Sequence, residues 1–94
     1  MVRRAIYFSG RVQGVGFRYD TARIAIGYEV SGFVENLSDG RVHVVVEGAC
    51  QQVDAFICHL CDHMSQYISQ RQVQHHPATG EFGGEGSHVF AIRR

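Results

Sequence analysis

The feature that most constrains the fold is an apolar stripe in the second half of the chain. Residues 53–64 carry apolar side chains in the i, i+3, i+4, i+7, i+8, i+11 pattern of an amphipathic helix. The stripe comprises Val53, Phe56, Ile57, Leu60, Cys61 and Met64. A second stripe of the same period runs from Phe17 to Tyr28, with Gly27 marking its end. Two such helices need a common surface against which to bury their apolar faces.

The segments around these helices have the composition of strands. We predict five strands, at residues 4–9, 30–37, 42–47, 67–74 and 89–92. Asp39 and Gly40 form a hairpin signal between the second and third strands. The fourth strand is weak and polar, which favours a position near a sheet edge, and residues 75–86 are predicted to form a loop.

This order of elements is β-α-β-β-α-β plus a short C-terminal strand. It predicts an α+β fold, the ferredoxin-like split βαβ sandwich, with an antiparallel sheet and both helices on one face. The length of 94 residues indicates a single domain over residues 1–94. That fold hosts many functions, so function has to be argued from a site.

The charges are unevenly distributed although the net charge is zero. Residues 1–28 contain five arginines and one acidic residue, whereas residues 29–94 contain four arginines and eight acidic residues. This asymmetry favours a small anion near the N-terminal part rather than the broad basic face that nucleic acid requires. The chain has no lysine, which excludes Walker-type P-loops and Schiff-base chemistry.

The remaining composition points to a cytoplasmic protein without a membrane partner. No apolar run approaches the roughly 20 residues of a membrane span, and the N-terminal sequence has no secretory signal pattern. The three cysteines, Cys50, Cys58 and Cys61, are an odd number, which argues against a disulfide framework. We expect them to be packing thiols.

The stretch "GRVQGVGFR", residues 10–18, precedes the first predicted helix. Gly14 and Gly16 permit positive φ and close approach of a ligand to the backbone. Successive N–H groups at a helix start, with the positive end of the helix dipole, form an anion site. The planar fork of Arg18 can bind two phosphate oxygens at once. Gly-x-Gly also occurs in plain turns, so its spacing alone leaves a simple turn open.

Two motifs resemble those of the acylphosphatase family. Residues 10–18 are similar to its V-Q-G-V-x-F-R signature, and "GFVENLSDGRV", residues 32–42, is similar to its Gly-Trp-Val-x-Asn motif followed by Asp-Gly-x-Val. Arg18 and Asn36 are 18 positions apart, as in the family. The chain also ends on a matching Phe-x-Ile-Arg.

The resemblance covers almost the whole chain, with two departures. Phe33 stands where the family has tryptophan, which keeps an aromatic ring. Residues 65–88 lack the Gly-Pro turn that usually follows the second helix and are rich in Gln and His. Because this region lies away from both motifs, it affects the expected strand geometry and substrate access more than the chemistry.

The resemblance implies a cytoplasmic hydrolase that cleaves the carboxyl–phosphate bond of acyl phosphates, without metal or cofactor. It assigns catalysis to Arg18 and Asn36, with Asn36 orienting the attacking water. Inorganic phosphate is then product and competitive inhibitor, and we expect a monomer without nucleic-acid or membrane partners, although free sheet edges leave dimerisation open. The implied phosphate-binding loop comprises Val12, Gln13, Gly14, Val15, Gly16, Phe17 and Arg18.

Three alternatives remain open from the sequence. Residues 58–63, "CHLCDH", contain two Cys and two His at helical spacings, although one regular helix cannot direct all four to one metal ion. A split βαβ fold can also be a non-catalytic RNA-binding module, which would present aromatic side chains on its open sheet face. The same motifs also occur at the start of a larger carbamoyl-transfer maturation enzyme, whereas we expect this chain to be free-standing. The physiological acyl phosphate is not determined by the sequence.

Overall fold

The computed structural model describes residues 1–81 and 89–93. Within them, the elements are β1 (Val2–Gly10), α1 (Phe17–Ala25), β2 (Val30–Asn36), β3 (Val42–Gly48), α2 (Cys50–His63), β4 (Ile68–Pro77) and β5 (Phe90–Arg93). The strands form one sheet in the order β4-β1-β3-β2-β5. The first four strands thus have the ferredoxin-like arrangement predicted from the sequence, and β4 lies at an edge as expected.

The sheet is mixed, which corrects the prediction of an antiparallel sheet. β1 pairs antiparallel with β3 and β4, and β2 pairs antiparallel with β3, whereas β5 is parallel to β2. The direction of β5 follows from the path of the chain. β4 runs opposite to β2 and therefore finishes at the end of the sheet where β2 begins. The next strand starts from that end and runs in the direction of β2.

Several element boundaries differ from the predicted ones. β4 continues through His75, His76 and Pro77, which pair with the start of β1 and were predicted to be loop. An edge strand needs only one row of backbone partners, so its polar composition did not mark its end. Helix α1 ends at Ala25, and a turn of i→i−3 hydrogen bonds continues to Tyr28. The predicted loop residues 82–86 lie outside the described residues.

Both helices cover the same face of the sheet. Alternate residues of β1, β2 and β3 point towards them and form one buried cluster with the inner faces of α1 and α2. The cluster contains Ile6, Phe8, Val12, Phe17, Ala25, Val30, Val34, Val42, Val44, Val46, Val53, Phe56, Leu60 and Met64. The opposite face has only a small cluster of Ala5, Phe33 and Val45, and no described helix covers it.

Three expectations from the composition concern the number of domains, a membrane span and the cysteines. The prediction of one domain over residues 1–94 stays a prediction, although all described strands join one sheet. No helix in residues 1–81 and 89–93 has the length and apolar character needed to cross a bilayer. The three cysteines are free, but Cys50 and Cys58 are exposed, so the packing role expected for them is wrong.

The carboxyl ends of three strands lie at the same end of the sheet. β1 and β2 run in the same direction because both are antiparallel to β3, and β5 runs parallel to β2. All three strands, β1, β2 and β5, therefore point their carboxyl ends in the same direction. Helix α1 also begins there, because a short loop connects it to the end of β1. The two sequence motifs meet at this end of the sheet.

Candidate active site

The loop between β1 and α1 has a backbone that requires glycine. Gly14 has φ 79° and Gly16 has φ 80°, both in the left-handed region. A Cβ at either position would meet nothing within 4 Å, so the conformation rather than the space demands glycine. The first helical hydrogen bond runs from the Asp20 N–H to the Gly16 carbonyl oxygen, at 2.9 Å. No described side chain caps the helix, so its first N–H groups remain available to a ligand.

The side chains of the loop anchor it to the core. Val12 and Phe17 are buried at the two ends of the loop, and Val15 packs partly against the same cluster. Val12 and Phe17 therefore expose almost none of their side chains to a ligand. The assignment of the loop as a row of phosphate-binding amides stays a prediction.

Gln13 has a role that sequence reasoning missed. Its Nε2 amide donates hydrogen bonds to the carbonyl oxygens of Leu37, at 2.8 Å, and Arg41, at 2.9 Å. Leu37 and Arg41 flank the turn between β2 and β3, and the Leu37 N–H donates to the Arg41 carbonyl oxygen at 2.8 Å. The side chain of Gln13 thus fastens the loop to the hairpin that follows Asn36. No pattern in the sequence marks a backbone carbonyl as a partner.

Arg18 and Asn36 line the same cavity at this end of the sheet. Arg18 lies in the first turn of α1, and Asn36 is the last residue of β2. The cavity has a volume of about 550 Å³ and is lined by Val12, Gly14, Gly16, Phe17, Arg18, Tyr19, Asn36 and Ile92. The two predicted catalytic residues are therefore brought together, with two residues that were not predicted, Tyr19 and Ile92. Gln13 and Val15 do not line the cavity.

The electrostatics of the cavity favour an anion. Among the described residues that line it, Arg18 is the only charged one. Its Nη1 donates a hydrogen bond of 3.2 Å to the carbonyl oxygen of Arg93. The charge of Arg93 lies elsewhere, because its guanidinium carbon sits 3.7 Å from the centroid of the Phe33 ring. Arg18 thus acts together with the positive end of the α1 dipole.

Arg41 is occupied by Asp39 at the neighbouring hairpin. The Arg41 N–H and Nε donate to the Asp39 carboxylate at 3.1 and 2.8 Å. The hydrogen bond from the Arg41 backbone, followed by that from its side chain, lowers the pKa of Asp39 below its ordinary value. Asp39 therefore stays ionised and holds Arg41 within the turn.

The residues of the alternative metal site point towards different partners. The Tyr28 hydroxyl lies 2.9 Å from Nδ1 of His59, and Nε2 of His63 lies 3.3 Å from the Asp20 carboxylate. Cys61 instead receives a hydrogen bond from Arg71. Within residues 1–81 and 89–93, no group of three or more His, Cys, Asp or Glu residues could hold a metal ion. His59, His63 and Cys61 thus each have a contact of their own.

The aromatic side chains of the open sheet face are engaged with one another and with arginines. Tyr7 and His43 stack with their centroids 4.4 Å apart and their planes 8° apart. The guanidinium carbon of Arg41 lies 4.7 Å from the centroid of Tyr7. Tyr7 thus already contacts His43 and Arg41, and Phe33 is buried beneath the guanidinium of Arg93, so stacking on a base would have to replace these contacts.

Comparison with known proteins decides the family. The acylphosphatase family model matches residues 4–92, which include both motifs. The chain belongs to the acylphosphatase family. A curated acylphosphatase from Rubrobacter xylanophilus is 42% identical over 93 residues, covering 97% of this chain and 79% of the relative. Four further curated acylphosphatases match over 57 to 61 residues, which is 60 to 64% of their own length.

Solved structures give the same assignment of the fold. The crystal structure of acylphosphatase from Bacillus subtilis superposes with a TM-score of 0.83 at 29% identity, and the match covers 100% of both chains. A structure of full-length HypF matches 99% of this chain with a TM-score of 0.79 at 30% identity, but only 12% of its own length. This acylphosphatase-family chain therefore resembles both an acylphosphatase and one segment of a larger protein, and the expectation that it is free-standing stays a prediction.

Proposed function

We propose that this protein hydrolyses acyl phosphates to a carboxylate and inorganic phosphate. The observation that carries the proposal is the cavity lined jointly by Arg18, Asn36 and the glycines of the β1–α1 loop. Membership of the acylphosphatase family gives the reaction class. The chain's own geometry supplies a donor set for a phosphoryl group and a polar side chain facing the same space.

The loop and Arg18 bind the phosphoryl group. Gly14, Gly16 and Arg18 line the cavity at the positive end of α1, where a dianion is stabilised, and we propose the backbone N–H groups of the loop as its further donors. A guanidinium has five N–H donors. One of them is used by the Arg93 carbonyl oxygen, so the others are left for phosphate oxygens. The hydrogen bond to Arg93 also orients the fork before the substrate arrives.

Asn36 orients the attacking water. Its side-chain amide both donates and accepts, so it can hold a water molecule in one orientation. It is too weak a base to deprotonate that water, and a phosphate oxygen takes the proton instead. The P–O bond to the water forms as the bond to the acyl oxygen breaks, and the carboxylate leaves with the bonding electron pair.

The leaving group makes a strong general acid unnecessary. Carboxylic acids have a pKa of about 4 to 5, so the carboxylate departs without protonation. Phosphoryl transfer has a loose transition state, and its catalysis consists mainly of positioning and charge stabilisation. Arg18, the loop amides and Asn36 supply both, so we propose that the reaction uses no metal or cofactor. The cytoplasmic location and the monomeric state stay predictions.

The direct test is hydrolysis of benzoyl phosphate by the purified protein in EDTA. We expect turnover that EDTA leaves unchanged and that inorganic phosphate inhibits competitively, because phosphate fits the same donors. A nucleic-acid mobility-shift assay on the same preparation should show no complex. Absence of turnover together with a specific RNA complex would replace the enzyme with the binding module.

A further inference from the structure

A second cavity adjoins the phosphate cavity, between α1 and β5. It has a volume of about 530 Å³. Tyr19 and Ile92 line both cavities, so the two cavities adjoin at these side chains. Ala22, Ile26 and Phe90 line the second cavity only. We call the second cavity the α1–β5 groove.

The sequence of α1 explains why the groove is open. Arg18, Ala22 and Ile26 follow one another at intervals of four residues, so they lie along one face of the helix. The methyl group of Ala22 leaves space between α1 and β5 that a longer side chain would fill. On the strand side, Phe90 is fixed against Phe56, with their ring centroids 5.6 Å apart. The groove thus has a firm wall, and the arginine that lines it is Arg23 rather than Arg18.

The groove concentrates exposed apolar surface. Among the described residues, five large apolar side chains are exposed, and three of them line this groove: Tyr19 at 62%, Ile26 at 84% and Ile92 at 43%. Scattered single apolar residues on a surface are ordinary, but a cluster in a concave site indicates a ligand or partner. Because the groove adjoins the phosphate cavity, its ligand should be another part of the molecule whose phosphoryl group is bound there.

We propose that the α1–β5 groove binds the acyl group of the substrate and makes the enzyme selective for acyl phosphates with apolar chains of several carbons. The proposal rests on the proposed function. In-line displacement places the attacking water and the leaving acyl group on opposite sides of the phosphorus. Asn36 lines the phosphate cavity but not the groove. The water and the acyl group can therefore occupy different parts of the site, as in-line displacement requires.

The first test is a chain-length series of acetyl, butyryl and hexanoyl phosphate. We expect kcat/KM to rise by about threefold for each added methylene until the groove is filled, from the transfer free energy of a partly buried CH₂. Ala22→Leu should remove this rise and leave acetyl phosphate hydrolysis unchanged. Ile26→Gln, a milder change at an exposed position, should halve the rise. Val89→Thr is the control, because Val89 is 61% exposed but does not line the groove.

A second measurement keeps the groove testable without turnover. Calorimetric titration with methyl-, butyl- and hexylphosphonate should give Kd values that fall with chain length in the wild type and stay level in Ala22→Leu. If no acyl phosphate is hydrolysed, the proposed function fails, and these Kd values still decide the groove. Hydrolysis with a flat chain-length profile and level Kd values would overturn the inference. Sedimentation showing a dimer that Ile26→Gln dissociates would also overturn it, since a second copy would then occupy the groove.

Discussion

The guanidinium of Arg18 donates a hydrogen bond to the backbone carbonyl oxygen of Arg93, 75 residues further along the chain. This contact joins the first turn of α1 to the last residue of β5. The proposed phosphate-binding cation is thus oriented by a strand that the ferredoxin-like core does not need. A donor fixed before binding loses little conformational freedom when the ligand arrives.

Arg18→Lys should lower kcat/KM for benzoyl phosphate by at least about 100-fold, the scale of losing a preorganised donor to a developing oxyanion. Lysine keeps the charge but lacks the planar fork that binds two oxygens and the Arg93 carbonyl together. Steady-state kinetics should show KM rising and kcat falling. Arg11→Lys, at an exposed position before the loop, is the matched control. Near wild-type kcat/KM in Arg18→Lys would mean that charge alone suffices.

Asn36→Ala should reduce kcat by about 100-fold and leave phosphate binding unchanged. The amide contacts the water rather than the phosphoryl group, so its loss affects the reacting complex and not the bound anion. The measurements are kcat with benzoyl phosphate and the inhibition constant of inorganic phosphate. Ser38→Ala, at an exposed position in the next turn, is the control. Weaker phosphate inhibition with intact kcat would contradict the water-orienting role.

Gln13→Ala should decrease both stability and activity. The variant loses two hydrogen bonds, whereas the Leu37 and Arg41 carbonyl oxygens each keep a backbone donor within the hairpin. At about 0.5–1.5 kcal/mol for each hydrogen bond, we expect a loss of about 1–3 kcal/mol in the free energy of unfolding. We expect kcat/KM to fall about tenfold because the loop amides lose their alignment.

Gln13→Glu should be worse than Gln13→Ala, since a carboxylate would face two carbonyl oxygens. Urea unfolding and steady-state kinetics measure the two effects, and Gln66→Ala on the exposed turn after α2 is the control. A Gln13→Ala protein with normal kcat/KM and reduced stability would limit Gln13 to holding the hairpin.

The sequence was sufficient for the element order and for bringing Arg18 and Asn36 into one site. Both follow from local signals: helical periodicity, the Asp39-Gly40 turn, and motifs at the ends of two strands that run in the same direction. The parallel pairing of β5 depends on where β4 finishes, which its polar sequence does not mark. The partners of Gln13 and Arg18 are backbone carbonyl oxygens, which every residue has, so no side-chain pattern reveals them.

Glu47 is a buried carboxylate on the opposite side of the sheet from the helices. Its side chain is 3% exposed and receives hydrogen bonds from the Arg3 guanidinium, the Thr79 N–H and hydroxyl, and the Gly80 N–H, at 2.7 to 3.1 Å. Burial alone would raise its pKa, but these hydrogen bonds outweigh burial and hold the pKa below the ordinary value of 4.5. The folded protein therefore prefers Glu47 ionised and tied to the segment after β4.

This preference sets the direction of the pH dependence. A carboxyl whose pKa is lowered by folding contributes stability that is fully present above its unfolded value and is lost as pH falls through its folded pKa. Glu47→Gln should lower the free energy of unfolding at pH 7 by about 1–3 kcal/mol, since it loses charge-assisted hydrogen bonds. The difference between the two proteins should shrink as pH drops below 4.5, the ordinary value. Urea titrations at pH 7, 5, 4 and 3 measure this, with the exposed Glu29→Gln as control. A stability difference that stays constant from pH 7 to pH 3 would mean that Glu47 acts through packing and not through its charge.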